Sequence, residues 1–177
     1  DQIALSYWRS FQTPISIIRP FNTYGPRQSS RAVIPTIITQ IASGKTRIKL
    51  GDVNPTRDFN FVEDTCKAYL AISKSPDAIG KVINVASNFE ISIGATANLI
   101  AEVMQKSIEI ETEEIRMRPK DSEVNRLFGD NKLIKQITDW EPRFSGLDGF
   151  KKGLEITAQW FSDSRNLSKY KPNTYGI

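Results

Sequence analysis

The chain has 177 residues, of which 39% are hydrophobic and 25% charged; this is the balance of about one folded domain, and no apolar run reaches the roughly 20 residues that a membrane-spanning helix needs. It contains a single cysteine, Cys66, and no histidine, which fits a cytoplasmic protein and excludes an internal disulfide, the usual zinc sites and a Ser-His-Asp or Cys-His catalytic group. The net charge of +4 suits an anionic partner, and because the lysines are scattered, a small acidic ligand is favoured over a nucleic acid.

The first predicted element is a helix that is already under way at the start of the chain. Ile3, Tyr7 and Phe11 fall four residues apart, which is the spacing of one helical face. Because the sequence begins at Asp1 without a methionine, we interpret it as a fragment of a longer protein. The short apolar run at 15–18 predicts a buried strand of a parallel sheet.

Residues 20–30 are rich in turn-forming residues, and they predict a loop at the carboxyl end of this strand. The alternation of short apolar strands with helices further along predicts an α/β fold. No Gly-x-Gly-x-x-Gly loop follows any strand, and the strands are too few for a free-standing doubly wound sheet. The later predicted elements are helices over 33–43, 63–74, 92–106 and 147–161, a short helix after Asp130, strands over 48–50, 57–62, 82–86 and 108–115, and a loose polar tail over 162–177.

Three loops place an arginine beside a predicted strand end. The first begins with Asn22, which can both donate and accept hydrogen bonds, and ends with Arg27. The second carries Arg57, with Asp58 beside it to fix its orientation, and the third carries Arg118 before a proline. The planar guanidinium group matches two phosphate oxygens at once. Taken singly, each arginine also fits a weak surface ion pair, so the residues by themselves indicate an α/β domain with some affinity for anions.

The order of these motifs resembles the extended short-chain dehydrogenase/reductase family, and within it the sugar-nucleotide 4,6-dehydratases and 4-epimerases. The resemblance covers residues 1 to about 160. It implies that residues 1–161 are the carboxyl-terminal part of a Rossmann-like enzyme, including its small substrate-binding subdomain, whose dinucleotide-binding half is absent. The matching segments are Arg-Pro-Phe-Asn-Thr-Tyr-Gly-Pro-Arg at 19–27, Gly-Asp at 51–52, Arg-Asp-Phe-Asn-Phe-Val-Glu-Asp at 57–64, Arg-Pro-Lys-Asp at 118–121, Asp-x-Lys-Leu at 130–133 and Trp-Glu-Pro at 140–142.

The resemblance also implies roles for individual residues. Arg57 and Arg118 match arginines that grip the diphosphate of a UDP- or dTDP-sugar. Asp64 and Asp130 match helix caps, so we expect them to be structural. Asn22 is expected to contact the phosphate region of the substrate, and Asp121 its ribose. Arg27 is expected to bind the substrate at the end of a loop that passes beside the sugar. Pro20 and Phe21 are expected on the NAD side.

The catalytic residues of the family lie upstream of these motifs. Its glycine-rich NAD loop, its catalytic serine or threonine and its Tyr-x-x-x-Lys pair have no counterpart in the printed sequence. The resemblance therefore implies that the parent protein is an NAD-dependent dehydratase or epimerase and that it forms a homodimer. It also implies that this fragment is inactive on its own. A non-catalytic binding or sensor module of the same fold is the alternative. The sequence leaves open the sugar, the base and the choice between dehydratase and epimerase.

Overall fold

The structure is a computed structural model that describes residues 1–117 and 124–170. Its helices are α1 (Gln2–Phe11), α2 (Val33–Ala42), α3 (Val62–Lys74), α4 (Ile93–Val103), α5 (Lys132–Ile137), α6 (Gly146–Ser162) and α7 (Ser164–Leu167). Its strands are β1 (Ile17–Pro20), β2 (Asn22–Tyr24), β3 (Arg47–Leu50), β4 (Thr56–Phe61), β5 (Val82–Val85), β6 (Glu90–Ser92), β7 (Glu109–Thr112) and β8 (Arg126–Leu127). Short 3₁₀ turns cover Pro76–Ala78 and Glu114–Arg116.

The strands form three small sheets. Parallel pairing joins β1 to β5 in one sheet and β3 to β7 in another. In the third sheet β4 pairs with three strands: β2 and β8 run parallel to it, and β6 runs antiparallel. Residues 56–57 of β4 lie beside β8, whereas residues 59–61 lie beside β2, so β4 changes neighbours at Asp58. This division agrees with the expected α/β class and with the shortage of strands for a doubly wound sheet.

The larger of two hydrophobic cores lies between β2, β3, β4 and the helices α2, α4 and α6. The isoleucines of α2 recur at helical spacing and are almost fully buried, as the sequence predicts. Aromatic rings join the helices to the sheet, since Tyr24 packs edge-on against Phe61 and Phe150 at centroid distances of 5.3 and 5.2 Å. This core fixes the ends of β2, β3 and β4 relative to one another.

The helix α1 forms as predicted, but its apolar face is not buried within the described chain. Ile3 is 78% exposed and Phe11 is 71% exposed, and no residue of α1 is buried. Trp8 is half-buried, and its indole ring lies against Gly80. Periodicity shows that a face exists but not what covers it. None of the described helices combines the length and the apolar composition that crossing a membrane requires.

Three short strands, β2, β6 and the two-residue β8, lie where the sequence predicts none. The strand β2 occupies part of the loop expected at 20–30, and β6 precedes the helix that Ser92 was expected to cap. The Ser92 cap itself is confirmed, because its Oγ accepts a hydrogen bond of 3.1 Å from the amide of Ala95. Three-residue strands carry too little periodicity to be seen in the sequence.

Part of the segment expected to be a loose tail is folded. Asp163 caps α7 by accepting a hydrogen bond from the amide of Arg165 at 2.9 Å. Tyr170 then packs edge-on against Phe161 at a centroid distance of 4.9 Å. The prediction overlooked this packing because residues 162–170 are polar apart from Leu167 and Tyr170. The remaining tail, 171–177, lies outside the described residues.

Candidate functional site

A cavity of about 450 Å³ opens beside the start of β2, at the carboxyl end of β3 and beside β4. Its wall includes three arginines, two side-chain amides and a carboxylate, together with apolar side chains. The residues that line it are Asn22, Thr23, Gln28, Arg31, Ala32, Val33, Ile34, Thr36, Leu50, Gly51, Asp52, Pro55, Arg57, Phe59, Ile93 and Arg116.

Two residues expected to bind the substrate, Asn22 and Arg57, line this cavity together. They are neighbours because Asn22 starts β2 and pairs with Phe59 of β4, two residues beyond Arg57. The Asn22 Nδ2 donates to the backbone carbonyl of Asp58 at 3.3 Å. The Arg57 Nη1 donates to the carbonyls of Val124 and Thr56 at 2.6 and 2.9 Å, which fixes its guanidinium group at the cavity wall.

The other expected substrate contacts are not placed in the cavity. Arg27 is exposed, has a backbone φ of 68° and is not among the residues that line the cavity. Arg118 and Asp121 lie outside the described residues, so the expectation that Arg57 and Arg118 share one cleft stays a prediction.

The two residues expected on the NAD side, Pro20 and Phe21, lie at the carboxyl end of β1, next to the end of β5. The amide of Phe21 donates to the Val85 carbonyl at 2.9 Å. Pro20 is exposed and Phe21 is half-buried, so the end of this strand presents apolar surface. Neither residue is among those that line the cavity.

Arg116 is a cavity residue that sequence reasoning passed over in favour of Arg118. It ends the 3₁₀ turn after β7, and its Nε donates to Glu113 at 2.5 Å. Because β3 and β7 are parallel, the turn after β7 lies beside the end of β3, where Gly51 and Asp52 also line the cavity. The sequence signal that could have identified Arg116 was its spacing of three residues from Glu113, which suits an ion pair across one helical turn.

Asp58 does not orient Arg57, and the expectation that it does is wrong. Successive residues of a strand point to opposite faces, so Asp58 is turned away from Arg57 and is completely buried. Its Oδ1 accepts from the amide and hydroxyl of Ser87 at 2.9 and 2.7 Å, and its Oδ2 from the amides of Asn88 and Gly129 at 3.1 and 3.3 Å. Burial raises the pKa of Asp58, and these hydrogen bonds partly offset that rise.

The two aspartates expected to be structural make backbone contacts. Asp64 in the first turn of α3 is buried, and its Oδ2 accepts from the amide of Phe144 at 2.9 Å. Asp130 accepts from the amide of Lys132 at 2.9 Å at the start of α5. The N-cap positions of α3 and α5 are Phe61 and Asn131, and neither of these two makes a side-chain cap hydrogen bond, so the expectation that Asp64 and Asp130 are helix caps is wrong, although both carboxylates accept structural hydrogen bonds from backbone amides.

The chemistry of the cavity suits an anionic ligand with an apolar part. Arg31, Arg57 and Arg116 supply positive charge, while Asn22 supplies an amide that can donate and accept. In residues 1–117 and 124–170, no three His, Cys, Asp or Glu side chains cluster in a way that would hold a metal ion.

Comparison with known proteins gives a consistent set of relatives. The family described as GDP-mannose 4,6 dehydratase matches residues 1–153. GDP-6-deoxy-D-mannose reductase from Pseudomonas aeruginosa is 34% identical over 157 residues, which are 85% of this chain and 49% of that protein.

Two solved structures share the fold closely. An epimerase from Methanothermobacter thermautotrophicus superposes with a TM-score of 0.82 at 27% identity, over 95% of this chain and 49% of that one. The dTDP-glucose 4,6-dehydratase of Bacillus anthracis, solved in complex with NAD, superposes with a TM-score of 0.79 at 29% identity, over 93% of this chain and 50% of that one.

The chain thus spans about half the length of these relatives. The family match covers most of its residues, and the sequence similarity and the shared fold lead to the same group of proteins. The chain belongs to the extended short-chain dehydrogenase/reductase family of sugar-nucleotide dehydratases and epimerases.

Proposed function

We propose that the protein binds a nucleoside-diphosphate sugar in the cavity that Asn22, Arg57 and Arg116 line, as the substrate part of an NAD-dependent 4,6-dehydratase or 4-epimerase. The observation that carries this proposal is the meeting of Arg57, from β4, and Arg116, from the turn after β7, in one cavity wall. Two guanidinium groups suit a diphosphate, whose oxygens accept charge-assisted hydrogen bonds. The resemblance adds Arg118 to this pair.

The size and lining of the cavity support the same ligand class. A volume of about 450 Å³ lies within the range of about 300–1,000 Å³ that small-molecule sites occupy. Leu50, Pro55 and Ile93 give it an apolar wall suited to a flat base, while the arginines suit the phosphates. Two of the relatives are named for GDP- and dTDP-linked sugars, and the resemblance implies a UDP- or dTDP-sugar, so UDP, dTDP and GDP are the probes to test.

The family also implies NAD, and the residues at the end of β1 fit an apolar contact with it. Pro20 is exposed and Phe21 is half-buried beside the end of β5, so both would touch a flat ring laid across the strand ends. When bound, NAD supplies the acceptor for a hydride from the sugar. We assign to Pro20 and Phe21 the role of supporting the cofactor on this side, separate from the diphosphate site.

Replacing Arg57 with alanine should weaken nucleoside-diphosphate binding by about 1.5–3 kcal/mol, which is tenfold or more. The loss follows from removing a charge-assisted contact to the phosphates. Isothermal titration calorimetry with UDP, dTDP and GDP, and with the matching monophosphates, measures it. The preference for the diphosphate over the monophosphate should shrink in Arg57→Ala.

Arg47→Ala is the matched control for this experiment. Arg47 lies on β3 outside the cavity, in an exposed ion pair with Glu109. Its removal should leave the affinity within about twofold. Equal affinities for the unsubstituted protein and Arg57→Ala would show that the diphosphate is not bound here.

The 177-residue chain should bind the nucleotide without converting a UDP- or dTDP-sugar. The family's proton acceptor is a tyrosine four residues before a lysine, and no tyrosine in the printed sequence has that partner. The measurement is product formation from UDP-glucose and dTDP-glucose with added NAD, followed by chromatography. Detectable turnover by the purified chain would refute this expectation.

A further inference from the structure

The side chain of Arg116, in the turn after β7, is more restrained than that of Arg47 on the neighbouring strand β3. Its side chain is 12% exposed, compared with 75% for Arg47, the arginine of the Glu109 ion pair. Its amide donates to the carbonyl of Glu113 at 2.9 Å, and its Nε donates to the carboxylate of the same residue. Both the backbone and the side chain of Arg116 are therefore tied to one residue, Glu113.

Glu113 is itself fixed at the end of β3. Its amide donates to the carbonyl of Leu50 at 2.8 Å, and its Oε1 accepts from the Nζ of Lys49 at 3.0 Å. Both carboxylate oxygens are thus engaged, one by Lys49 and the other by Arg116. These two cations, Arg116 first, hold the pKa of Glu113 below its usual range, so the carboxylate is ionised at neutral pH.

The backbone directly after β3 restricts the position of Arg116 from the other side. A Cβ added to Gly51 would overlap the carbonyl oxygen of Arg116, so the two segments touch with no room for a side chain. Gly51 and Arg116 both line the cavity. The turn that carries Arg116 is therefore confined between Glu113 and the end of β3.

We infer that Glu113 is a positioning residue of the ligand site, which holds the guanidinium group of Arg116 in the cavity wall where a diphosphate meets it. This inference rests on the proposed function. A side chain that is already ordered loses less conformational freedom when the ligand binds, so restraint by Glu113 increases affinity. Glu113 touches Arg116 and Lys49 and is not among the residues that line the cavity.

The charge of Glu113 acts in the opposite direction, because a carboxylate repels phosphate. That repulsion is screened as salt is added, whereas the restraint on Arg116 depends on a direct contact in a largely buried place. Measurements at two ionic strengths therefore separate the two effects. At high salt the restraint remains, and the loss of Glu113 should weaken binding.

The test is calorimetric titration of Glu113→Ala with UDP, dTDP and GDP in 0.15 M and 0.5 M NaCl, beside the unsubstituted protein. We expect about 3- to 10-fold weaker binding at high salt, the effect of freeing one arginine side chain. Glu113→Gln, which keeps a hydrogen-bond acceptor, should recover part of the loss. Glu109→Ala on β7, four residues before Glu113, is the matched control, since it removes the exposed ion pair with Arg47.

A double-mutant cycle distinguishes positioning from a general structural role. If Glu113 acts through Arg116, Glu113→Ala should weaken binding in the unsubstituted protein but not in the Arg116→Ala background. The inference about Glu113 would be overturned, and the proposed function left standing, by either of two results. One is an equal loss of affinity in both backgrounds, and the other is an affinity that Glu113→Ala leaves unchanged at 0.5 M NaCl. Failure of the unsubstituted protein to bind any of the three nucleotides would overturn the proposed function as well.

Discussion

Asp58→Asn should lower the free energy of unfolding by about 2–4 kcal/mol. Both carboxylate oxygens accept two hydrogen bonds each, from Ser87 on one side and from Asn88 and Gly129 on the other. An amide offers one oxygen, so its NH₂ group would face two donors that are left without an acceptor. Each such buried donor costs about 1–3 kcal/mol, and relief of the buried charge offsets part of that cost.

Urea denaturation followed by circular dichroism measures this change. Asp139→Asn is the control, because Asp139 is exposed and its substitution should change stability by no more than about 0.5 kcal/mol. The same loss for both variants would mean that the buried network around Asp58 does not stabilise the fold.

Gly153→Ala should destabilise the protein by about 1–3 kcal/mol, although alanine is the better helix former by about 1 kcal/mol. Gly153 lies on the buried face of α6, where an added Cβ would overlap the hydroxyl of Tyr24 and lie 2.9 Å from its Cζ and 3.1 Å from Cδ2 of Phe61. Tyr24 cannot move aside easily, because it is buried and its hydroxyl donates to the Phe150 carbonyl at 3.3 Å. Thermal and urea unfolding measure the loss.

A second substitution identifies the contact responsible. Tyr24→Phe removes the hydroxyl, so Gly153→Ala should cost less in that background than alone. Gly94→Ala in α4 is the matched control, since its added Cβ would meet no atom nearer than 3.4 Å, and it should be neutral or stabilising. If Gly153→Ala costs the same with and without the Tyr24 hydroxyl, the contact with that hydroxyl is not the cause.

The regular elements of this fold could be predicted from periodicity. The helix α2 and the strand β3 lie within one residue of their predicted bounds, because each repeats its apolar residues over several positions. The strands β2 and β6 have three residues each and were missed. Both strands form by pairing with β4, which is more than 30 residues away in each case, and the local sequence does not indicate such a distant partner.

The candidate site was predictable only in part for a related reason. Asn22 was predicted from the rule that ligands bind at the carboxyl ends of strands and Arg57 from the phosphate chemistry of arginine and the family resemblance, and both line the cavity. The direction of Asp58 could have been predicted from the alternation of β4, yet adjacency to Arg57 suggested an ion pair instead. Arg116 needed the parallel pairing of β3 with β7, since 65 residues separate it from Gly51 in the sequence (116 − 51).

Because β4 changes neighbours along its length, it joins two differently paired parts of the sheet. The part that carries Arg57 is bonded to β6 and β8, whereas the part that carries Phe59 is bonded to β2. Both Arg57 and Phe59 line the cavity, so any shear across the junction alters its width. A ligand in contact with both residues would therefore hold the two parts of β4 in a fixed relation to each other.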